Sequence, residues 1–280
     1  MGVETAVAFL LALASTTLTN IAYLREHDAA ASLPVLSMRR PLHSAKLLLE
    51  DRSWLVGFGT ETAGFLLYAA ALTLAPLALV QSIAAGGIGV LAYVSARIAR
   101  RPLSRRELAG TIVSVVGLAA LAVSLAGGNA HNGHGALAPI GLWLAATAGV
   151  ALLLLAFARA AGGAAVANGL AGGLFFSIGD ISTKLATQGG VRIAFLVTLV
   201  AGYTLGTALL QIGYQAGAAL TVAGLATLLT NALPIAAGTL VLDEPVPHGA
   251  LGAVRAVAFA AVVGGAVLLS HPHGKPPRSG

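Results

Sequence analysis

The stretch Arg97-Ile-Ala-Arg-Arg-Pro-Leu-Ser-Arg-Arg106 decides the fold. Half of it is arginine, and it joins two apolar runs at about 77–98 and 105–126. About 20 mostly apolar residues wound as a helix cross about 30 Å of hydrocarbon. Lys and Arg collect in the loops that stay on the cytoplasmic side. Two membrane spans joined by a cytoplasmic turn account for this pattern. Working outward, further apolar runs fall at roughly 3–24, 53–75, 138–158, 164–187, 191–216, 219–242 and 247–270, which makes nine. The arginine stretch is then the third connection. The first carries Arg25, Arg39, Arg40, Lys46 and Arg52, the fifth Arg159, and the tail Lys275 and Arg278. In the opposite set of connections only Arg192 is basic, with Lys184 and Arg255 inside helices. The alternation predicts a multi-pass protein of the plasma (cytoplasmic) membrane, N-terminus outside and C-terminus cytoplasmic. A miscounted helix would have scrambled it.

Composition agrees. At 57% hydrophobic and 9% charged residues, the chain is not a soluble domain. It reads as one transmembrane unit over 1–270 with a disordered cytoplasmic tail at 271–280. The net charge of +6 fits loops facing anionic lipid rather than a nucleic-acid partner. Glu4 precedes the first apolar run and no positive segment leads it, so the run reads as a retained helix. There is no cysteine, which excludes thiol chemistry and Cys-based metal sites. Gly, at 35 residues, lets helix backbones approach closely in a bilayer. Such faces serve contacts within and between chains alike, so a homodimer is compatible with the sequence. His131 and His134, with His271 and His273, lie in Gly/Pro-rich segments with no partner carboxylate, and no metal is expected there. Walker A, His-Glu-x-x-His and Gly-x-Ser-x-Gly signatures are absent, so neither an enzyme nor a cofactor is expected.

The halves resemble each other. Ala71-Leu-Thr-Leu-Ala-Pro-Leu-Ala-Leu-Val80 ends one helix and enters the next, and Gly213-Tyr-Gln-Ala-Gly-Ala-Ala-Leu-Thr-Val222 does the same 142 residues later. Arg100-Arg-Pro-Leu-Ser104 pairs with Asp243-Glu-Pro-Val-Pro247, and Gly110 with Gly252. Two four-helix repeats (about 3–126 and 164–270) joined by a linking helix (138–158) follow. Five helices separate corresponding members, and an odd offset inverts the second repeat, a common plan of secondary transporters with a site near the midplane. The expected fold is an all-α integral membrane protein with about nine transmembrane helices. In the long first connection, Leu42-His-Ser-Ala-Lys-Leu-Leu-Leu49 reads as a short amphipathic helix on the cytoplasmic surface.

Charges inside membrane helices are the strongest pointers to function, since each costs roughly 2.5–3.5 kcal/mol at the bilayer centre. Glu61 falls near mid-depth of the 53–75 run. Asp180 and Lys184 share a face at i and i+4. Arg255 lies two turns into the last run. Glu61 and Asp180 are candidate contacts for a cation or a coupling proton, and the metal ligands if a metal cation is carried. Lys184 and Arg255 are candidate counter-charges or anionic-substrate contacts. Asn231, Gln211 and Gln215 are candidate cavity-lining residues, with Asn20, Gln81 and Asn168 in a second tier; each serves equally as interhelical glue. Pro234 frees the carbonyl of Thr230, a break tolerated where it is packed or lines a cavity.

On the paired segments around 71–80 and 213–222, and on the turns Arg100-Arg-Pro102 and Asp243-Glu-Pro245, the chain resembles the drug/metabolite transporter superfamily. EamA-like members have ten helices, five plus five. Nine helices with a long basic first loop are more similar to the NIPA-like magnesium transporter branch, as are Ala14-Ser-Thr-Thr17 in the first helix and Ser53-Trp54 at the start of the second. That branch has a Glu and an Asn in its second helix ahead of Ala-Pro. Here Glu61 stands about one turn earlier, no Asn matches, and the basic cluster after the first helix is reduced to Arg25. The resemblance implies alternating-access secondary transport of a small molecule or a cation such as magnesium. A membrane scaffold that transports nothing is the alternative from another class. Convergence separates the two: a transporter gathers these polar residues around a cavity, and a scaffold spends them singly on helix contacts.

Overall fold

The computed structural model describes residues 3–84, 93, 104–125, 135–158, 163–243 and 249–270. Every secondary-structure element among them is helical: α1 (Val3–Ser32), α2 (Pro41–Glu50), α3 (Arg52–Leu74), α4 (Leu77–Ala84), α5 (Arg105–Leu125), α6 (Leu137–Ala156), α7 (Ala164–Thr187), a 3-10 turn (Gly190–Phe195), α8 (Leu196–Ala216), α9 (Ala219–Leu240) and α10 (Ala250–Ser270). Six spans among these are long and apolar enough to cross a membrane: α1, α3, α6, α7, α8 with its leading turn, and α9. Shorter apolar stretches lie in α5 and α10. The helix α4 opens the run expected over 77–98, whose remainder, with Gly86, Gly87 and Gly89, lies outside the described residues. So do Arg97, Arg100, Arg101, Arg159, Glu244–Pro247, His131, His134 and the tail with its two histidines, Lys275 and Arg278.

The first helix is longer than its apolar run. It was expected to stop near residue 24 and instead continues to Ser32. Nothing between 3 and 32 breaks a helix; the break comes at Pro34, which disfavours a helical residue before it. Gln215 of α8 then caps the end. Its amide nitrogen donates to the carbonyls of Ala30, Leu33 and Pro34, and its oxygen accepts from the Leu36 amide. Replacing it by leucine strips all of these at once, each worth about 1 kcal/mol. Hydrogen exchange at the Leu36 amide in Gln215→Leu should be at least ~10-fold faster than in the wild type, with the α7 core unchanged. Pro41 opens α2 at the position where its missing N–H costs nothing. Leu48 turns inward while Leu42 and Leu49 stay exposed beside Lys46. Asp51 caps α3 by accepting from the Trp54 amide at 2.7 Å.

Packing is inside-out relative to a soluble protein. Large apolar side chains such as Leu10, Leu66, Leu142, Leu152 and Val197 face outward. Asp180, Lys184, Gln211, Asn231, Ser177 and Ser182 are buried. The central helices are α7 and α9, the two most deeply enclosed spans. Glycine lets them touch. A Cβ placed on Gly173 of α7 would stand 2.6 Å from the Ala226 carbonyl oxygen of α9, and one on Gly202 of α8 would stand 2.8 Å from the Phe175 carbonyl oxygen of α7. The α1–α3 pair closes similarly, Gly64 against Ser15 and Thr19, and Gly57 against Ala22 and Glu26. That approach places the α3 face between Gly57 and Gly64, which carries Glu61, against α1.

Candidate functional site

A cavity of about 300 Å³ opens where α1, α3, α4, α7, α8 and α9 meet. This is the lower end of the range for small-molecule pockets. Glu61 and Asp180 are on its wall, with Asn20, Gln81, Asn231 and a band of threonines. Tyr23, Phe58, Phe65, Tyr68, Phe176 and Tyr203 supply aromatic surface. Among the described residues none that lines it is Lys, Arg or His.

Asp180 sits mid-helix on α7, where the backbone cannot serve it. Its carboxylate accepts from Gln81 Nε2 of α4 at 2.9 Å and from the Tyr203 hydroxyl of α8, with Tyr68 of α3 adjacent. Gln81 also donates to the Tyr68 hydroxyl at 2.7 Å. One carboxylate thus holds together side chains from both halves of the chain. On the opposite wall stands Glu61, one turn along α3 from Gly57, which packs on Glu26 of α1. Glu26 is fully buried and also accepts from Gln211 Nε2 of α8. Asn20 and Asn231 each donate from Nδ2 to the carbonyl one turn earlier, of Thr16 and Thr227. Because only nitrogen can donate to a carbonyl, those bonds fix both amide orientations. The two Oδ1 atoms are left buried without a donor.

The candidate residues therefore separate. Glu61, Asp180 and Asn231 converge on the cavity, joined by Asn20 and Gln81. Gln211 stands one shell back, on Glu26. Gln215 caps α1 away from the cavity, and Asn168 bonds its own helix at Ala164. Lys184 is buried and donates from Nζ to the carbonyls of Leu72 and Ala75 at 2.9 and 3.0 Å, holding the C-terminal end of α3. Arg255 of α10 is buried off the cavity, its guanidinium 3.5 Å from the Thr239 hydroxyl of α9. The helix α9 runs through Pro234 without ending, and Thr230, four residues earlier, is on the cavity wall. Among the described residues no group of three or more His, Cys, Asp or Glu is arranged to hold a metal ion.

Lys184 bears on stability rather than on the cavity. Lys184→Met leaves the Leu72 and Ala75 carbonyls without this donor, at a cost of about 2–3 kcal/mol. A thermal melt in detergent should show the loss, and binding of any cavity ligand to the protein that stays folded should be unchanged.

Sequence reading missed Glu26, which it assigned to the first loop, and the tyrosines. The signal for Glu26 was present: Thr16, Tyr23, Glu26 and Ala30 continue one helical face, all buried, past the first charge. No family model, curated protein or solved structure matches the chain.

Proposed function

We propose that this protein is a multi-pass secondary transporter that moves a small solute by alternating access, built on the plan of the drug/metabolite transporter superfamily. One observation carries the reading. Polar and acidic residues from both halves of the chain, Glu61 and Asn20 from the first and Asp180 and Asn231 from the second, converge on one cavity. A scaffold has no use for such convergence, since each group could be satisfied at its own helix contact.

Helix pairing supports the nine-helix inverted repeat. The first two spans of each half pack together, α1 on α3 and α7 on α8. Across the halves α1 meets α8 and α3 meets α7, while α4 meets α9 and α5 meets α10. Each of these contacts maps onto itself or another when the halves are exchanged. The 142-residue offset also sets Gly64 opposite Gly206 and Glu61 opposite Tyr203. On this plan the two halves rock about the cavity, with the N-terminus outside. Magnesium is the alternative cargo. It takes oxygen ligands and keeps much of its water, so one or two carboxylates can suffice.

Reconstitution in proteoliposomes tests the reading. Gradient-driven flux is followed with an internal magnesium dye in one arm, and with a panel of cationic, neutral and anionic solutes in the other. The expected result is flux above empty vesicles for at least one solute, reduced in Asp180→Asn. Folded, inserted protein that moves nothing in either arm would return the assignment to a scaffold.

A further inference from the structure

The segment between α1 and α3 has a buried side and an open side. On the buried side Leu36 and Leu48 share a core with Trp54 of α3, Ala30 of α1, Tyr214 of α8 and Leu220 of α9. The segment therefore lies on the seam between the two halves of the chain. Gln215, at the end of α8, fastens it there. Its oxygen accepts from the Leu36 amide at 2.8 Å, and its nitrogen holds the carbonyls of Ala30, Leu33 and Pro34. Ser44 fastens the same loop to α2: its Oγ accepts from the Ser37 amide at 2.9 Å and donates to the Ser37 carbonyl at 3.2 Å. Loop, surface helix and latch thus form one unit.

The open side has a composition of its own. Val35 and Leu42 are 85% and 86% exposed, and Met38 and Leu49 are exposed with them. Arg39, Arg40, His43 and Lys46 stand among these side chains, all exposed, and residues 33–49 contain no Asp or Glu. Lys46 reaches Glu50 at 3.7 Å along the exposed edge of α2. Water is a poor neighbour for the large apolar side chains, and hydrocarbon is a poor neighbour for arginine. The boundary between the two suits both. The helix α2 is also tied to that boundary: Asp51 alone separates it from α3, an apolar span whose Leu55 and Val56 are exposed near its start. The basic side chains then meet a headgroup layer, and their charge favours one that is negative.

We infer that the open side of residues 35–49 docks on anionic phospholipid headgroups of the leaflet in which α3 begins, and that lipid bound there holds the Gln215 latch shut. Arg39 and Arg40 sit on the loop and Lys46 on α2, so one patch of headgroups meets all three while Ser44 keeps loop and helix together. Leu36, whose amide the latch holds, is the neighbour of Ser37. A surface that binds the assembled unit better than the loosened one shifts the equilibrium toward the assembled unit. The coupling is reciprocal, so breaking the latch weakens the grip on anionic lipid. An acidic protein would satisfy the arginines but leave Val35, Leu42 and Leu49 without a hydrocarbon neighbour. The consequence for transport rests on the reading above: α1 and α8 belong to opposite halves, and the latch sets how readily the halves part at this end. Leaflet charge then regulates that step.

The test places the purified full-length protein in nanodiscs of phosphatidylcholine, alone or with about one third phosphatidylglycerol. Both leaflets carry the same lipid, so the orientation of the chain does not enter. Hydrogen exchange is read at the Leu36 amide, whose acceptor is the latch itself. Exchange in the wild type should be at least ~5-fold slower with phosphatidylglycerol, and high salt should erase the difference. Arg39→Gln, Arg40→Gln and Lys46→Gln combined should exchange at the wild-type rate in phosphatidylcholine and gain no protection from phosphatidylglycerol. Gln215→Leu should exchange fast in both lipids. Equal exchange of the wild type in the two lipids overturns the coupling, a comparison that needs no variant to fold. A difference that survives in the triple variant overturns the docking face. The same slowing by inorganic phosphate added to phosphatidylcholine nanodiscs overturns the leaflet as the partner. Flux is not read, so each of these outcomes leaves the transporter reading where it stands.

Discussion

Glu61→Gln is expected to bring transport down to the level of empty vesicles while the protein still folds and inserts. The substitution removes the charge and keeps the shape. Glutamine has nearly the same size, and the packing of Gly57 and Gly64 against α1 is untouched, so the approach of α3 to α1 survives. What is lost is one of the two acidic side chains on the cavity wall. Gln81, Tyr203 and Tyr68 bind up the other wall acid, Asp180, so nothing nearby replaces it. The measurement is solute flux in proteoliposomes at matched protein density, with insertion checked by protease accessibility. Near-normal flux in this variant would remove Glu61 from the mechanism.

The second large effect is on folding. Gly173→Val should abolish recovery of folded protein from membranes, because the obstacle is backbone and not a side chain that can swing away. The new Cβ would stand 2.6 Å from the Ala226 carbonyl oxygen and 2.8 Å from the Ala226 Cα. The strain is relieved only by parting α7 from α9, the two helices at the centre of the bundle. Overpacking in a filled core costs about 1–3 kcal/mol where neighbours can adjust, and these cannot. Gly224→Ala is the matched control. Nothing stands within 4 Å of a Cβ there, although Gly224 is buried on the same α9, and alanine is the better helix former. Its melting temperature in detergent should match or slightly exceed the wild type. Equal losses in both variants would mean that α9 resists any added methyl group and that the α7 contact is not special.

Much of the helical plan was legible because hydrocarbon thickness sets a length. The runs read at 53–75, 164–187 and 219–242 appear as Arg52–Leu74, Ala164–Thr187 and Ala219–Leu240. The end of α1 was not, since the first charge was taken as the limit of the helix. Charge ends a hydrophobic run, but only backbone chemistry ends a helix, and that came at Pro34. Polar residues inside spans were easy to find and hard to assign. Glu61, Asp180 and Asn231 turned to the cavity, while Lys184, Gln215 and Arg255 turned to carbonyls and hydroxyls of other helices. Sequence spacing gives the face of one helix; what that face meets depends on a neighbour a hundred residues away. The bond from Gln211 of α8 to Glu26 of α1 is of this kind.

The placement of Lys184 also bears on how the chain is made. The α7 span has a mean hydropathy of 1.3, against 2.0 for both α6 and the α8 span, and it carries two charges. Alone it would be a reluctant guest in the bilayer. Yet the acceptors of its ammonium, Leu72 and Ala75, precede it by more than a hundred residues, and Gln81, a donor to Asp180, by 99. These groups have already left the ribosome when α7 emerges. The N-terminal half thus acts as an in-built chaperone for the most polar span of the C-terminal half, and a chain synthesised without residues 3–84 should stall at the insertion of α7.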